Sequence, residues 1–268
     1  MSMLKQRLFT SLVLIPPVLL AIYGLPAGWF GLACLILILV AALEWSRLIG
    51  NRHRWEHGLF LILVLLTMFL STALWMLDVY WIMALGFWGL MLVAIVGYPH
   101  SQRRWSAPLA LWIIGMILLA LAWSALIEIR FHTLGREFIL YLLLLVWAAD
   151  IGAYVTGKLY GKHKLIPQVS PGKTIEGAIG GMLASLVIAV IAKSWIFSSL
   201  GWLSWLMLAV LISVVSIVGD LLISMIKRQA GVKDSGRLLP GHGGLLDRID
   251  SLLAAAPIFV LGYGFFQP

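Results

Sequence analysis

Long apolar stretches separated by short polar breaks run along the whole chain. Nine of these stretches approach the ~20 residues that a helix needs to cross the hydrocarbon core of a bilayer, so we predict nine transmembrane helices. The first stretch contains Pro16 and Pro17 and has no small-residue cleavage site, which favours a retained helix over a signal peptide. The predicted ranges are about 8–25, 28–49, 58–77, 79–98, 107–127, 138–157, 177–199, 203–224 and 245–266.

Composition supports this interpretation. Hydrophobic residues make up 62% of the 268 positions and charged residues 11%, with a mean hydropathy of +1.02. A soluble domain carries about 25% charged residues, because water must wet its surface. No polar linker or internal repeat divides the chain, and the single cysteine, Cys34, excludes an intramolecular disulfide. The predicted fold class is therefore all-α, a polytopic integral membrane protein that forms one domain over residues 1–268.

The distribution of basic residues predicts the orientation. If the N-terminus lies in the cytoplasm, five segments between the predicted helices are cytoplasmic, and they contain 16 of the 19 Lys and Arg residues. Only Arg130, Arg136 and Lys193 fall on the other side. The positive-inside rule thus predicts a cytoplasmic N-terminus and an external C-terminus. Because the net charge of +8 lies in short loops between apolar helices, it indicates small anionic ligands and no nucleic acid.

Several carboxylates lie inside or near the ends of the predicted helices. Burying a carboxylate in hydrocarbon costs roughly 2.5–3.5 kcal/mol on insertion scales, so each one requires a structural or chemical reason. Glu44 precedes Arg47 by three residues, which favours an ion pair within one helix. Asp150 and Asp220 lack so simple an explanation, and the helix of Asp220 offers no cation within one turn.

Helical spacing brings some of these acids together with other polar groups. Asp220, Ser224 and Lys227 share one helix face, and Asp247 and Asp250 share another at the start of the last helix. Carboxylates that meet at a membrane surface repel each other unless a cation holds them. Mg²⁺ suits such oxygen ligands, since it commonly binds one or two carboxylates plus substrate phosphates.

The segment between these two faces is rich in glycines and cations. Gly243 and Gly244 allow backbone amides to approach a phosphate, and the N-terminus of the following helix adds a favourable dipole. The residues alone therefore predict a metal-assisted phosphate site at the cytoplasmic face. The alternative left open is a basic loop whose acids only neutralise its bases.

The same residues closely resemble the signature of the phosphatidate cytidylyltransferase (CDP-diacylglycerol synthase) family. A second block is also similar to the family, so the resemblance covers the C-terminal half of the chain. It implies N-terminal helices over about 1–137 and catalytic helices and cytoplasmic loops over about 138–268. The first block reads Ser224-Met-Ile-Lys227-Arg228, Lys233-Asp234-Ser235-Gly236 and Pro240-Gly241-His242-Gly243-Gly244-Leu-Leu-Asp247-Arg248-Ile-Asp250. The second reads Asp150-Ile-Gly152-Ala-Tyr154, Gly157-Lys158, Gly161-Lys162, Ser170-Pro171-Gly172-Lys173-Thr174 and Glu176-Gly177.

This resemblance implies an enzyme that converts CTP and phosphatidic acid into CDP-diacylglycerol and pyrophosphate at the membrane, with Mg²⁺ as cofactor. It leaves a second cation open. The implied metal ligands are Asp220, Asp247 and Asp250. The implied catalytic residues are Lys227, Arg228, Lys233, Asp234, His242 and Arg248. The implied nucleotide-binding residues are Ser224, Gly243, Gly244, Lys173 and Ser170.

Two positions depart from the family pattern. Ile151 stands where the family usually has a small hydroxyl residue, and Ile223 stands where many members have a glutamate. Gly177 and Gly181 form a small-xxx-small pattern that is typical of close helix packing, either within the chain or in a homodimer. The competing functions are another CTP-dependent enzyme acting on a polyprenyl or ether lipid, and a transporter, because intramembrane acids also mark ion pathways.

Overall fold

Long helices dominate the structure, as the apolar pattern predicts. The computed structural model of the chain describes residues 3–74, 76–194, 201–236, 238 and 243–266. The helices are α1 (Met3–Gly24), α2 (Ala27–Leu48), α3 (Arg54–Leu74), α4 (Asp78–Val96), α5 (Gln102–Trp105), α6 (Pro108–Phe131), α7 (Gly135–Tyr160), α8 (Ile175–Lys193), α9 (Trp202–Gln229) and α10 (Leu246–Phe266). The strands are β1 (Lys164–Ile166) and β2 (Ser170–Thr174).

Each of the nine predicted ranges overlaps one long helix of this set. Seven helices of the described chain, α2 to α4 and α6 to α9, are long and apolar enough to cross a membrane. The protein is therefore a multi-pass membrane protein. Helix α9 continues past the predicted end at 224 to Gln229, because the prediction followed hydropathy and the last turn of the helix includes the polar residues Lys227 and Arg228.

A short hairpin between α7 and α8 makes the all-α prediction wrong in one place. Strands β1 and β2 pair in antiparallel fashion, with Lys164 opposite Thr174 and Ile166 opposite Ser170. Val169, in the turn, is fully buried. The Thr174 hydroxyl oxygen accepts a hydrogen bond from the Gly177 amide at 3.1 Å, so the end of β2 caps the start of α8.

Helices α7 and α8 pack in very close contact through glycines. A side chain at Gly181 would lie 2.6 Å from the carbonyl oxygen of Ala149, and one at Gly177 would lie 2.8 Å from that of Ala153. Real β-carbons do not approach other atoms so closely, so only glycine allows this helix separation. The prediction of close packing at Gly177 and Gly181 is confirmed, and the packing lies within the chain.

The ends of several helices are tied together at one end of the bundle, which we call the site end. The Trp45 indole at the end of α2 donates to the carbonyl of Leu111 in α6 at 3.1 Å. The Gln229 amide at the end of α9 donates to the carbonyl of Ser106, just before α6, at 3.4 Å. Helix α10 begins at this same end and packs against α9, α6 and α2. These contacts place the polar ends of α2 and α9 next to the start of α10.

Candidate active site

Three aspartates from three helices form a carboxylate cluster at the site end. Asp150 of α7, Asp220 of α9 and Asp250 of α10 lie close enough to interact electrostatically with one another. Gly219 makes this approach of α9 and α10 possible, because a side chain there would overlap the carbonyl oxygen of Asp250. Close backbone packing thus gathers three like charges, and cations have to compensate them.

Lys173 supplies the most direct compensation. Its Nζ lies 2.6 Å from Asp220 Oδ2, and the two side chains are 24% and 30% exposed. The Ser224 hydroxyl donates to Asp220 Oδ1 at 3.1 Å, as expected from their helical spacing. Arg248 and Lys173 also act electrostatically on Asp150. The cluster is therefore open to water and carries cations on two sides.

Asp247 lies in a different environment from the carboxylate cluster. Its Oδ1 accepts from Lys227 Nζ at 2.6 Å. Its Oδ2 accepts from the amide of Ser235 at 2.8 Å and the amide of Gly244 at 3.0 Å, and it lies 3.0 Å from the hydroxyl oxygen of Ser235. The side chain is only 5% exposed. Asp247 therefore binds both 230–236 and 243–245, two described parts of the segment 230–245, which we call the α9–α10 loop, and fixes Lys227.

Glu44 of α2 also binds this loop, so the prediction that it pairs with Arg47 is wrong. Its Oε1 accepts from the amide of Leu245 at 3.0 Å, and its Oε2 accepts from the amide of Leu246 at 2.8 Å. The first amides of a helix have no intrahelical acceptor, and buried amides need one. Glu44 is 4% exposed, whereas Arg47 is exposed and forms no ion pair among the described residues.

The remaining predicted catalytic residues among those that the structure describes occupy varied positions. Arg228 donates through Nε to the carbonyl of Val169 at 3.2 Å and so fastens the hairpin to α9. Lys233 and Asp234 are exposed on the α9–α10 loop. Arg248 is exposed beside the carboxylate cluster. Lys233 and Arg248 form none of the ion pairs between described residues, which leaves both cations available for an anionic ligand.

Some of the predicted nucleotide-binding residues contact the site aspartates, and others do not. Ser224, Lys173 and Gly244 contact the site aspartates directly. Gly243 has a φ of +79°, a left-handed conformation that favours glycine. Ser170 lies in β2, away from the bonds described above. The predicted role of His242 falls outside the residues that the structure describes.

A cavity opens on the other side of Ser235. Its volume is about 380 Å³, and it lies between the ends of α2 and α9 and the first turns of α6. Its polar lining includes Arg47, Gln229 and Asp234. The cavity provides space for a ligand beside the α9–α10 loop.

The donor set can be tested against the implied magnesium ion. Within the described ranges, no group of three or more His, Cys, Asp or Glu side chains is arranged to hold a metal by itself. Mg²⁺ does not require such a group, because it commonly takes one or two carboxylates and completes its shell with water and phosphate oxygens. Asp220 and Asp250 provide two neighbouring carboxylates, so the residues fit a metal that binds together with a phosphate substrate. The ligand set Asp220, Asp247 and Asp250 stays a prediction.

Sequence reasoning missed the roles of Glu44 and Ser235. Glu44 gave a signal, since a carboxylate in an apolar helix is costly, but its partners lie on a distant segment of the chain. Ser235 gave only its place inside the signature. Its hydroxyl donates to Glu44 and its amide to Asp247, a role that helical spacing could not indicate.

Comparison with known proteins adds an independent observation. A sequence profile described as the Cytidylyltransferase family matches residues 5–266. A protein of Pseudomonas aeruginosa named phosphatidate cytidylyltransferase is 42% identical over 262 residues, covering 96% of each chain. One of the same name from Haemophilus influenzae is 36% identical over 294 residues, covering 98% of this chain and 99% of its own. One from Staphylococcus haemolyticus is 48% identical over 124 residues, covering 46% of this chain and 48% of its own.

Proposed function

Because the chain belongs to the Cytidylyltransferase family, we propose that it transfers CMP from CTP to phosphatidic acid and so forms CDP-diacylglycerol and pyrophosphate. The observation that carries this function is similarity over nearly the whole length to two proteins named phosphatidate cytidylyltransferase. The site agrees with it, because carboxylates and cations meet at one end of an apolar bundle. The protein is thus a membrane-embedded nucleotidyltransferase of phospholipid synthesis.

The reaction is an in-line displacement at phosphorus. A phosphate oxygen of phosphatidic acid attacks the α-phosphorus of CTP, the bond from that phosphorus to the oxygen bridging to the β-phosphate breaks, and pyrophosphate leaves. Positioning and charge neutralisation supply most of the catalysis in such transfers. Lys173, Lys227 and Arg248 lie beside the site carboxylates and are placed to neutralise the phosphates.

Magnesium would bind at the carboxylate cluster, held by Asp220 and Asp250. When bound, it would neutralise phosphate charge and align the phosphate oxygens. Asp247, the third predicted ligand, has Oδ1 bound by Lys227 and Oδ2 bound by the amides of Ser235 and Gly244, so we assign it to holding Lys227 and not to the metal. The surrounding cations hold the aspartates in place and limit their mutual repulsion.

We further propose nine membrane spans with the N-terminus and the site end in the cytoplasm. Helices α1 and α10 complete the count beyond the seven apolar helices. If every long helix crosses the membrane, the ends of α2, α7 and α9 and the starts of α8 and α10 share one face. Those are the ends that carry the site, and the loops on that face carry 16 of the 19 basic residues.

The direct test supplies purified protein with labelled CTP, phosphatidic acid and Mg²⁺ and measures the CDP-lipid and pyrophosphate. The Pseudomonas aeruginosa relative serves as the positive control. Parallel reactions with an ether-linked phosphatidic acid and a polyprenyl phosphate determine the lipid class. Absence of CDP-diacylglycerol under conditions in which the relative is active would exclude the proposed activity.

The metal assignment is tested in the same assay. Asp220→Asn and Asp250→Asn should each lower the rate by about a hundredfold or more and raise the Mg²⁺ concentration needed. Glu128→Gln is the matched control, because Glu128 is a partly buried acid of α6 outside the site. A normal rate and normal Mg²⁺ dependence in Asp220→Asn would refute the assignment while leaving the activity in place.

A further inference from the structure

The Glu44 carboxylate binds two described parts of the α9–α10 loop. Near the beginning of the loop, the Ser235 hydroxyl donates to Glu44 Oε2 at 2.9 Å. At its end, the amides of Leu245 and Leu246 donate to the two oxygens of Glu44 at 3.0 and 2.8 Å. Glu44 belongs to α2, so a helix from the N-terminal part of the chain closes a loop from the C-terminal part.

Two glycines leave the space that this carboxylate occupies. A side chain at Gly236 would lie 2.6 Å from Glu44 Oε1, and one at Gly244 would overlap both Glu44 Oε2 and the Ser235 hydroxyl. Glycine is therefore required at both positions, 236 and 244, where the loop backbone passes Glu44.

The same contacts continue to the reacting region. The Ser235 hydroxyl donates to Glu44 while the Ser235 amide donates to Asp247, and Asp247 binds Lys227. Lys227 in turn acts electrostatically on Asp220. An unbroken series of hydrogen bonds therefore joins Glu44 to the proposed phosphate-binding lysine.

We propose that Glu44 is a positioning residue for the cytidylyl transfer. It sets the α9–α10 loop so that Ser235 and Asp247 hold Lys227 in its working position. Glu44 itself is buried behind the loop and touches no reacting atom. This inference rests on the proposed function, because it assigns a role within that reaction.

Electrostatics explains why a carboxylate is needed at this position. Glu44 is 4% exposed, and none of the ion pairs between described residues includes it. Three hydrogen-bond donors and the positive end of the α10 dipole compensate its charge. A glutamine of the same size would turn its NH₂ group toward one of these donors. One buried amide or hydroxyl would then lose its acceptor.

The test compares Glu44→Gln with Glu56→Gln. Glu56 also accepts two backbone amides near a helix start, those of Arg52 and His53, but it lies at α3 and is only partly buried. Glu44→Gln should lower kcat roughly ten- to hundredfold, as expected for a lost buried acceptor, with KM for phosphatidic acid changed less than about twofold. Glu56→Gln should retain the wild-type rate.

Hydrogen exchange provides a readout that does not depend on turnover. In Glu44→Gln, the peptide containing Leu245 and Leu246 should exchange at least about tenfold faster than in the wild type, while α3 peptides stay unchanged. An inactive wild type would remove the proposed function itself. An active wild type with a Glu44→Gln rate within twofold and unchanged exchange would overturn the positioning role alone.

Ser235→Ala is the second variant, and it covers the case in which Glu44→Gln fails to accumulate in the membrane. It removes one donor and leaves the helix amides with their acceptor, so kcat should fall about three- to tenfold. A wild-type rate in Ser235→Ala would contradict the inference. In the double variant, the two losses should not multiply, because both act through the same contact.

Discussion

Lys173 is the residue on which the charge balance of the carboxylate cluster depends most directly. It reaches from β2 to Asp220 with an N–O distance of 2.6 Å, and it also acts on Asp150 and Asp250. Arg228 secures the hairpin that carries it, by donating to the Val169 carbonyl. The lysine is thus held in place by structure that sequence periodicity did not predict.

Replacing Lys173 by glutamine should lower the transfer rate at least about tenfold. The substitution leaves three neighbouring carboxylates with less positive charge, which weakens phosphate binding and spreads the cluster. Lys173→Arg keeps the charge and should restore part of the rate. Steady-state kinetics with CTP varied at fixed phosphatidic acid measures both effects.

Lys164 offers the matched control for that experiment. It lies on β1 of the same hairpin, is exposed, and pairs in register with Thr174 rather than with an acid. Lys164→Gln should therefore keep the wild-type rate. If Lys173→Gln were as active as Lys164→Gln, the cluster would not need this cation.

Individual site residues were predictable to the extent that their partners share a helix. The i, i+4 spacing of Asp220 and Ser224 predicted a contact that the structure contains. The same rule failed for Glu44, because it considers only Arg47 on the same helix, whereas the partners lie about 200 residues away in the chain. Long-range pairing of a carboxylate with a helix N-terminus has no local pattern to reveal it.

Among the elements, the α7–α8 pair has the clearest consequence for the site. Helix α7 carries Asp150, and α8 begins two residues after Lys173, so the separation of the helices determines how these two groups meet. Glycines such as Gly152 and Gly181 set that separation through backbone contacts. A small change in packing should therefore affect both stability and activity.

Gly181→Ala should destabilise the protein. The added methyl group would lie 2.6 Å from the Ala149 carbonyl oxygen, so the helices must separate, at a cost of roughly 1–3 kcal/mol for overpacking. Thermal unfolding of the detergent-solubilised protein should show a lower midpoint. Gly89→Ala in α4 is the control, because no atom lies within 4 Å of the added group. An equal midpoint in the two variants would show that α7 and α8 tolerate separation.

Element prediction succeeded where the signal was long and failed where it was short. Nine apolar ranges gave nine helices of the described chain, since each contains several turns of consistent hydrophobicity. The hairpin has strands of three and five residues, too short for a period-2 pattern to stand out from a basic loop. Its formation depends on tertiary contacts, such as the burial of Val169.

For the whole molecule, the orientation in the membrane can be tested by cysteine labelling. Cys34 is buried and is the only cysteine, so Cys34→Ala gives a background without thiols. His53→Cys, between α2 and α3, should react with a membrane-impermeant maleimide only after the cells are opened. Thr133→Cys, between α6 and α7, should react on intact spheroplasts. Both positions are exposed, so access to the reagent depends only on the side of the membrane.

The labelling pattern tests the orientation of the chain and the number of membrane crossings separately. Labelling of Thr133→Cys from inside would reverse the proposed orientation. Labelling of both positions from the same side would contradict an odd number of crossings between them, since α3, α4 and α6 separate the two loops. Activity of each labelled variant shows that the fold is retained.

The pairing of Glu44 with α10 has a consequence for biosynthesis. Glu44 precedes Leu245 and Leu246 by 201 and 202 positions, so its carboxylate is synthesised long before the amides that it accepts. At translation rates of about 5–20 residues per second, this interval is about 10–40 s. During that time the Glu44 carboxylate of α2 lacks the two backbone amides that it accepts in the folded protein. A product truncated before Leu245 would therefore lack the two amides that bind Glu44, and its α2 would keep a buried acid without these donors.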